Sequence, residues 1–306
     1  TNADLHGIIK ASKKVIVEVN EKMPIALGYE SHINISDVNY IIEGDSPDIP
    51  ESLPKDADPE DRRIAEYIVS EIRNGSVLQL GIGAVPNSIG KMLAESDIRD
   101  LGGHSEVLVD AFMNLYYAGK LTNNKTRDKG LSVYTAAVGS KALYDFIDDN
   151  PICCCAPVDY VNNVHTISEI DNFISINSCI GLDLFGQVCS ESAGYRQVSG
   201  TGGQLDFVQG AFASKNGKSF MCTHSTRRDS NGKLHSLIHP VLPAGSIVTT
   251  PRSAVNYVVT EFGAVNLKGK STWQRAEMLI SIAHPDFRED LIGEAEKMGL
   301  WRNSSK

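Results

Sequence analysis

The chain has 306 residues, 42% hydrophobic and 22% charged, the balance of an ordinary folded protein and enough length for one large or two ordinary domains. Its net charge of −9 argues against nucleic acid as a partner, and no apolar run approaches the ~18–20 residues of a membrane span. The six cysteines, three of them adjacent at Cys153 to Cys155, form no CxxC pair, so zinc-clip spacing is absent and all six read as reduced thiols of a cytoplasmic protein.

The chain opens on Thr1, almost directly in a helical stripe of Leu5, Ile8, Ile9 and Ala11, as a chain cut or processed upstream would. Val15 to Val19 is strand-like, and Pro24 to Leu27 is a second short apolar run. From Glu43 to Arg62 the text turns polar, with Pro47, Pro50, Pro54 and Pro59, and reads as a linker or long surface loop. Asp61 to Ile72 follows as an amphipathic helix on Ile64, Ile68 and Ile72, stopped by Asn74-Gly75.

Ser76 to Leu80 is a strand, GIGAVP a turn, and Asn87 to Ala94 a helix. The stretch LGGHSEVLV places Glu106 just before a short buried strand, Val107 to Val109, and a helix then runs from Ala111 to Ala118. Ser132 to Val138, Ile152 to Val158, Phe173 to Asn177, Leu182 to Val188, Ser219 to Thr223, Ser246 to Thr250 and Ala254 to Thr260 are strand candidates. Lys141 to Ile147, a segment starting at Leu205, Thr272 to Ile282 and Arg288 to Met298 are helical. This alternation predicts an α/β fold with open, largely parallel sheets and helices on both faces.

Three motifs carry chemistry. Leu80 to Pro86 puts two glycines between a strand and a helix, where free helix amides favour an anion or an oxyanion. A tight turn without a ligand accounts for it equally well when taken alone. A dinucleotide fingerprint is weaker, because Pro86 replaces the third glycine and no ribose-binding acid follows. Ser199 to Gln204, SGTGGQ, has more glycine than a turn needs, which predicts backbone approaching a ligand closely, against a loose surface loop. Ile176 to Asp183 ends a strand in a turn at Ile180-Gly181. His235 and His239 lie in extended text and do not share a helix face as zinc ligands do. No GxSxG elbow marks a serine hydrolase.

QLGIGAVP, GGHSEVLVD, SGTGGQLDFVQGA, YVVTEFG and AHPDFREDL, in this order, resemble the CoA-transferase family of the 4-hydroxybutyrate and butyryl-CoA:acetate branch, over about Asp4 to Met298. The resemblance implies two similar α/β domains, the first represented here only by its tail (1–54) and the second filling 55–306. It implies Glu106 as the nucleophile, and CoA contacts at Gly81, Ile82, Gly83, Ala84, Val85, Ile180, Gly202 and Gly203. A sister branch carries its glutamate after the INSxI segment, where this chain has Gly181.

The activity that this resemblance implies is that of a ping-pong acyl-CoA:carboxylate CoA-transferase. It needs no metal and no permanently bound cofactor, and coenzyme A is a co-substrate. Its expected partners are acyl-CoA, short carboxylates, and further copies of the chain or the missing N-terminal part as a second chain. The rival expectations are an acyl-CoA hydrolase using the same glutamate, and a nucleotide- or CoA-binding module without catalysis.

Overall fold

The computed structural model describes residues 1–53 and 56–300. The first stretch carries helix α1 (Leu5–Ala11) and a two-stranded parallel sheet, β1 (Ile16–Val19) with β2 (Tyr40–Glu43). Strand β2 has no counterpart among the expected elements. Asn2 is the sole buried residue of this stretch, while Ile16, Tyr40, Ile41 and Ile42 are exposed. The stretch lies along one edge of the main sheet, where Cys155 N–H donates to the Leu27 carbonyl at 2.8 Å and Asn2 N–H to that of Thr135 at 2.8 Å.

The expected polar linker, Glu43 to Arg62, is cut short by helix α2 (Pro59–Val69). Asp58 and Asp61 close a reciprocal capping box and Pro59 takes the first helical position, so the helix starts before its apolar stripe does. Ile64 and Ile68 are 0% exposed, and each contributes about 1.5–3 kcal/mol by burial. The expected boundary itself, at Pro54 and Lys55, lies outside the described residues.

The next strands along the chain are β3 (Val77–Leu80), β4 (Gly102–Leu108), β5 (Ser132–Ala137), β6 (Cys153–Cys155) and β7 (Phe173–Ser178). Two small hairpins come next, β8 (Gly181–Asp183) with β9 (Val188–Cys189), and β10 (Ser192–Ala193) with β11 (Arg196–Gln197). Then come β12 (Lys218–Cys222), the hairpin β13 (Thr226–Arg228) with β14 (Leu234–Ser236), β15 (Ile238–His239) alongside β8, and β16 (Tyr257–Thr260) with β17 (Gly263–Asn266).

Eight of these form one sheet in the order β17-β16-β12-β7-β3-β4-β5-β6, parallel at every pairing except β16 with β17. From the central β3 the chain runs outward through β4, β5 and β6, then returns to the other flank of β3 as β7. That reversal is a topological switch point, and the crevice outside the carboxyl ends of β3 and β7 is where such sheets bind ligands. Gln79 ties the two strands together there: its Oε1 accepts from Ser175 Oγ at 2.7 Å and from Ile176 N at 3.1 Å.

Alternation along the strands sorts the core into two layers. Leu78, Leu80, Ile174 and Ile176 pack against α2, α3 (Ala84–Glu95), α4 (Asp110–Tyr117) and α5 (Lys141–Ile147). Val77, Val133 and Phe173 face the opposite layer of α6 (Val158–Val161), α7 (Val164–Ser168) and α8 (Gln204–Ala213). Met221 and Val258 continue that side against α9 (Thr272–Ser281) and α10 (Pro285–Lys297). The fold is α/β, with a mostly parallel sheet covered on both faces.

Several expected boundaries differ: Leu182 to Val188 is not one strand but the β8–β9 hairpin, and α10 starts at Pro285 and not Arg288, since proline fits a first helical turn. Helix α3 begins at Ala84 and not Asn87, because Pro86 is tolerated in a first turn whose N–H groups have no helical partner. Strand β4 covers Gly102–Leu108, so Glu106 sits within it and not ahead of it. Ser246 to Thr250 is not a strand. Thr249 and Thr250 both donate to the Val188 carbonyl, and Pro251 ends the pairing after a single bridge at Thr250. All six cysteines are free thiols, and the three of β6 are buried. No described helix is long and apolar enough to cross a membrane.

Candidate active site

Strand periodicity puts His104 and Glu106 on one face of β4, toward α6 and α8. His104 is 0% exposed and lies edge-on to Phe173 and Phe207. Burial, helped by the nearby Lys125 charge, pushes its imidazole down to about 4. It is therefore neutral at physiological pH, and its Nε2–H donates to the Val161 carbonyl at 2.8 Å.

That bond fixes the end of α6 one residue before Asn162, whose Nδ2 donates to Glu106 Oε2 at 2.9 Å. An ionised carboxylate only accepts, so the amide must present its nitrogen. The other carboxylate oxygen, Oε1, receives no hydrogen bond among the described residues, and Glu106 is half-buried.

The third side of Glu106 is the SGTGGQ loop. Gly203 caps the N-terminus of α8 with φ −86°, a conformation open to any residue. A Cβ there would overlap both Glu106 Oε2 and Asn162 Nδ2. The glycine thus lets the helix start approach the carboxylate closely. Gly202 has φ +55°, the left-handed region that favours glycine. In the first turn of α8, burial and then the Glu106 charge lift the Asp206 carboxyl above its ordinary value.

The other expected contacts stand at the same carboxyl edge of the sheet but in separate recesses. Gly81, Ile82 and Gly83 leave β3, and Ala84 and Val85 open α3. Gly83 has φ +135°, and Ile82 is 57% exposed. Gly81 to Gly83 line a cavity of ≈ 300 Å³ with Asn87 and Asp110. Ile180, just past β7, lines a larger one of ≈ 710 Å³ with His239 and Phe287. The direct meeting of distant motifs is that of Glu106 with Gly203.

Asn162 and Asp206 are absent from the expected site, and His104 enters it only as part of a motif. The short helices α6 and α7 have too little periodicity to be read, and the turn dipeptide Asn162-Asn163 between VDYV and VHTI is the one local signal of where they part. His235 and His239 lie in different strands, and His235 instead bonds Asp229 at 2.8 Å. Asp58, Asp61 and His224 are the one grouping of three possible metal ligands among the described residues. Their atoms already close the α2 cap and the Asp61–His224 bond of 2.9 Å.

A family model described as the acetyl-CoA hydrolase/transferase C-terminal domain matches residues 139–295. The chain is 51% identical to butyryl-CoA:acetate CoA-transferase of Anaerostipes caccae, over 99% of this chain and 68% of that protein. It is 47% identical to 4-hydroxybutyrate coenzyme A transferase of Clostridium kluyveri, over 94% of this chain and 66% of the other. Among solved structures, RipA from Yersinia pestis matches with a TM-score of 0.89 at 43% identity, over 98% of this chain and 66% of that one. The chain thus spans about two thirds of the length of these relatives.

Proposed function

The chain belongs to the acetyl-CoA hydrolase/transferase family, and from that premise we propose that it is a short-chain acyl-CoA:carboxylate CoA-transferase whose nucleophile is Glu106. Its acyl-CoA is butyryl- or 4-hydroxybutyryl-CoA, and its acceptor is acetate. The observation that carries the reading is the unequal treatment of the Glu106 oxygens: Asn162 holds Oε2 at 2.9 Å, and Oε1 is left to react.

The carboxylate attacks the thioester carbonyl and expels CoA as a thiolate, which leaves a mixed anhydride. The thiolate returns to the Glu106 carbonyl and releases the first carboxylate, giving a glutamyl-CoA thioester. An acceptor carboxylate then takes the CoA by the reverse steps. A carboxylate is a weak nucleophile in water, so positioning and partial desolvation supply the activation. Backbone N–H groups at Gly202 and Gly203, where α8 begins, serve the tetrahedral oxyanion, and one such donor is worth about 10²–10³ in rate. Gly81 to Val85 and Ile180, at the switch point, hold the CoA, which is a substrate and not a resident cofactor.

Residues 1–54 belong to the end of a first α/β domain, and 55–306 to a second. The exposed Ile16, Tyr40, Ile41 and Ile42 support this, since a sheet with so little covered surface needs a partner layer. The working enzyme is an oligomer in the cytoplasm.

The test is intact-mass analysis after mixing the protein with butyryl-CoA. The expected result is a covalent CoA adduct, removed by hydroxylamine and mapped to residues 104–109, that is missing in Glu106→Gln. Turnover that needs acetate distinguishes transfer from hydrolysis. An adduct on Glu191 or Glu261 would overturn the assignment.

A further inference from the structure

We propose that Asp206 favours the covalent intermediate of this reaction: its carboxylate opposes the negative charge of Glu106, and that opposition ends once Glu106 has become an acyl group. The inference rests on the reading of Glu106 as nucleophile and deepens it. Asp206 acts through Glu106, so it is a positioning residue and not a catalytic one.

The geometry comes from α8, which passes β4 with Gly203 against Glu106 and Phe207 against His104. Asp206 stands three residues after Gly203 and one before Phe207, so the first helical turn carries it on the flank of the face that meets β4. Asp206 and Glu106 are both half-buried. Burial and then the Glu106 charge raise the Asp206 carboxyl, and no cation or hydrogen bond among the described residues offsets them.

An acid in a first helical turn is ordinarily explained by the positive end of the helix dipole. Here that end is already taken, because Glu106 Oε2 reaches into the space a Gly203 Cβ would fill. A second carboxylate beside it adds repulsion, which placement by the dipole alone would avoid.

The repulsion matters because of where the charge goes. A Glu106 oxygen bonds to the thioester carbon, the C–S bond breaks, and the electron pair leaves on sulfur. The thiolate then bonds to the Glu106 carboxyl carbon, the anhydride C–O bond breaks, and the pair leaves on the released carboxylate. No proton is transferred. One negative charge thus starts on Glu106 and departs with the product. The free enzyme carries both charges, whereas the anhydride and the glutamyl thioester carry only that of Asp206. Repulsion confined to the free enzyme shifts the half-reaction, acyl-CoA plus enzyme to enzyme–CoA thioester plus carboxylate, toward the thioester. A neighbouring charge equivalent to one pKa unit shifts it about tenfold.

The test measures that equilibrium near pH 7, where ordinary carboxyls are ionised. Intact mass gives the ratio of CoA adduct to free protein over a series of butyryl-CoA:butyrate ratios. Wild type is compared with Asp206→Asn, Asp206→Ser and Asp206→Glu, each checked for a native melting transition. The site is half-exposed, so the neutral variants keep the fold. The equilibrium constant is expected to fall about tenfold in Asp206→Asn and Asp206→Ser, and to stay within about threefold of wild type in Asp206→Glu, which keeps the charge. A residue that merely builds the helix start would change the rates in both directions and leave the ratio where it is.

A Glu106 adduct in the wild type, together with an unchanged constant in either neutral variant or an equal fall in Asp206→Glu, overturns this inference and leaves the proposed function standing. No adduct on Glu106 in the wild type removes both.

Discussion

Replacing Gly203 by alanine adds one methyl group to a backbone that accepts it, since φ −86° and ψ 4° are open to alanine. The new Cβ overlaps Glu106 Oε2 and Asn162 Nδ2. Ordinary contact lies near about 3.5 Å, so the carboxylate must retreat by on the order of 1 Å. Its site is half-exposed, so it has room to swing away, and turnover suffers before the fold does. A misplacement of that size costs about 10²-fold in rate, or about 2.7 kcal/mol of barrier.

A matched change on the same helix gives the contrast. At Gly210 a Cβ would come within 2.5 Å of Ile167 Cβ, in the packing of α7 on α8 and away from Glu106. Gly210→Ala should lower stability by about 1–3 kcal/mol and leave kcat close to wild type. The measurements are steady-state transfer of CoA from butyryl-CoA to acetate, and urea melts of both variants. A kcat for Gly203→Ala within about threefold of wild type would refute the claim that this glycine exists to admit the carboxylate. So would an equal loss of turnover in Gly210→Ala.

Two further outcomes concern buried charge. His104, about 6.5 when unfolded and about 4 when folded, contributes stability that is fully present above pH 6.5 and lost as pH falls through 4, on the order of 3 kcal/mol in all. The urea midpoint should thus fall less steeply between about pH 7 and pH 4 in His104→Gln than in wild type, and parallel slopes would contradict the burial argument. Lys125 is 6% exposed, its Nζ has no hydrogen-bond partner among the described residues, and burial brings its amine down to about 8. Lys125→Met keeps the length without the amine and should stabilise the fold by about 1–2 kcal/mol in thermal melts near pH 7; a clear loss would mean that the amine is bonded.

Much of this molecule is legible from local pattern. A helix at Lys141–Ile147 is readable to the residue, because its apolar spacing, its Ser140 cap and its flanking strands agree. The glycines between β3 and α3 and the alternation of strand with helix point to a parallel sheet, since short-range sterics and a two-residue repeat encode both. Local pattern fails where a segment's state depends on what lies beside it. Ser246 to Thr250 has the β-branched text of a strand but forms a single bridge, that of Thr250 with Val188.

The site divides in the same way. Glu106 and the glycines stand out because a motif and a composition excess are local. Asn162 is 56 residues from Glu106, and nothing in either neighbourhood signals the other. Excess glycine at SGTGG says that something approaches the backbone closely. Only the packing of α8 against β4 decides that at Gly203 the neighbour is the protein's own carboxylate, because a missing Cβ records that space is needed and not what fills it.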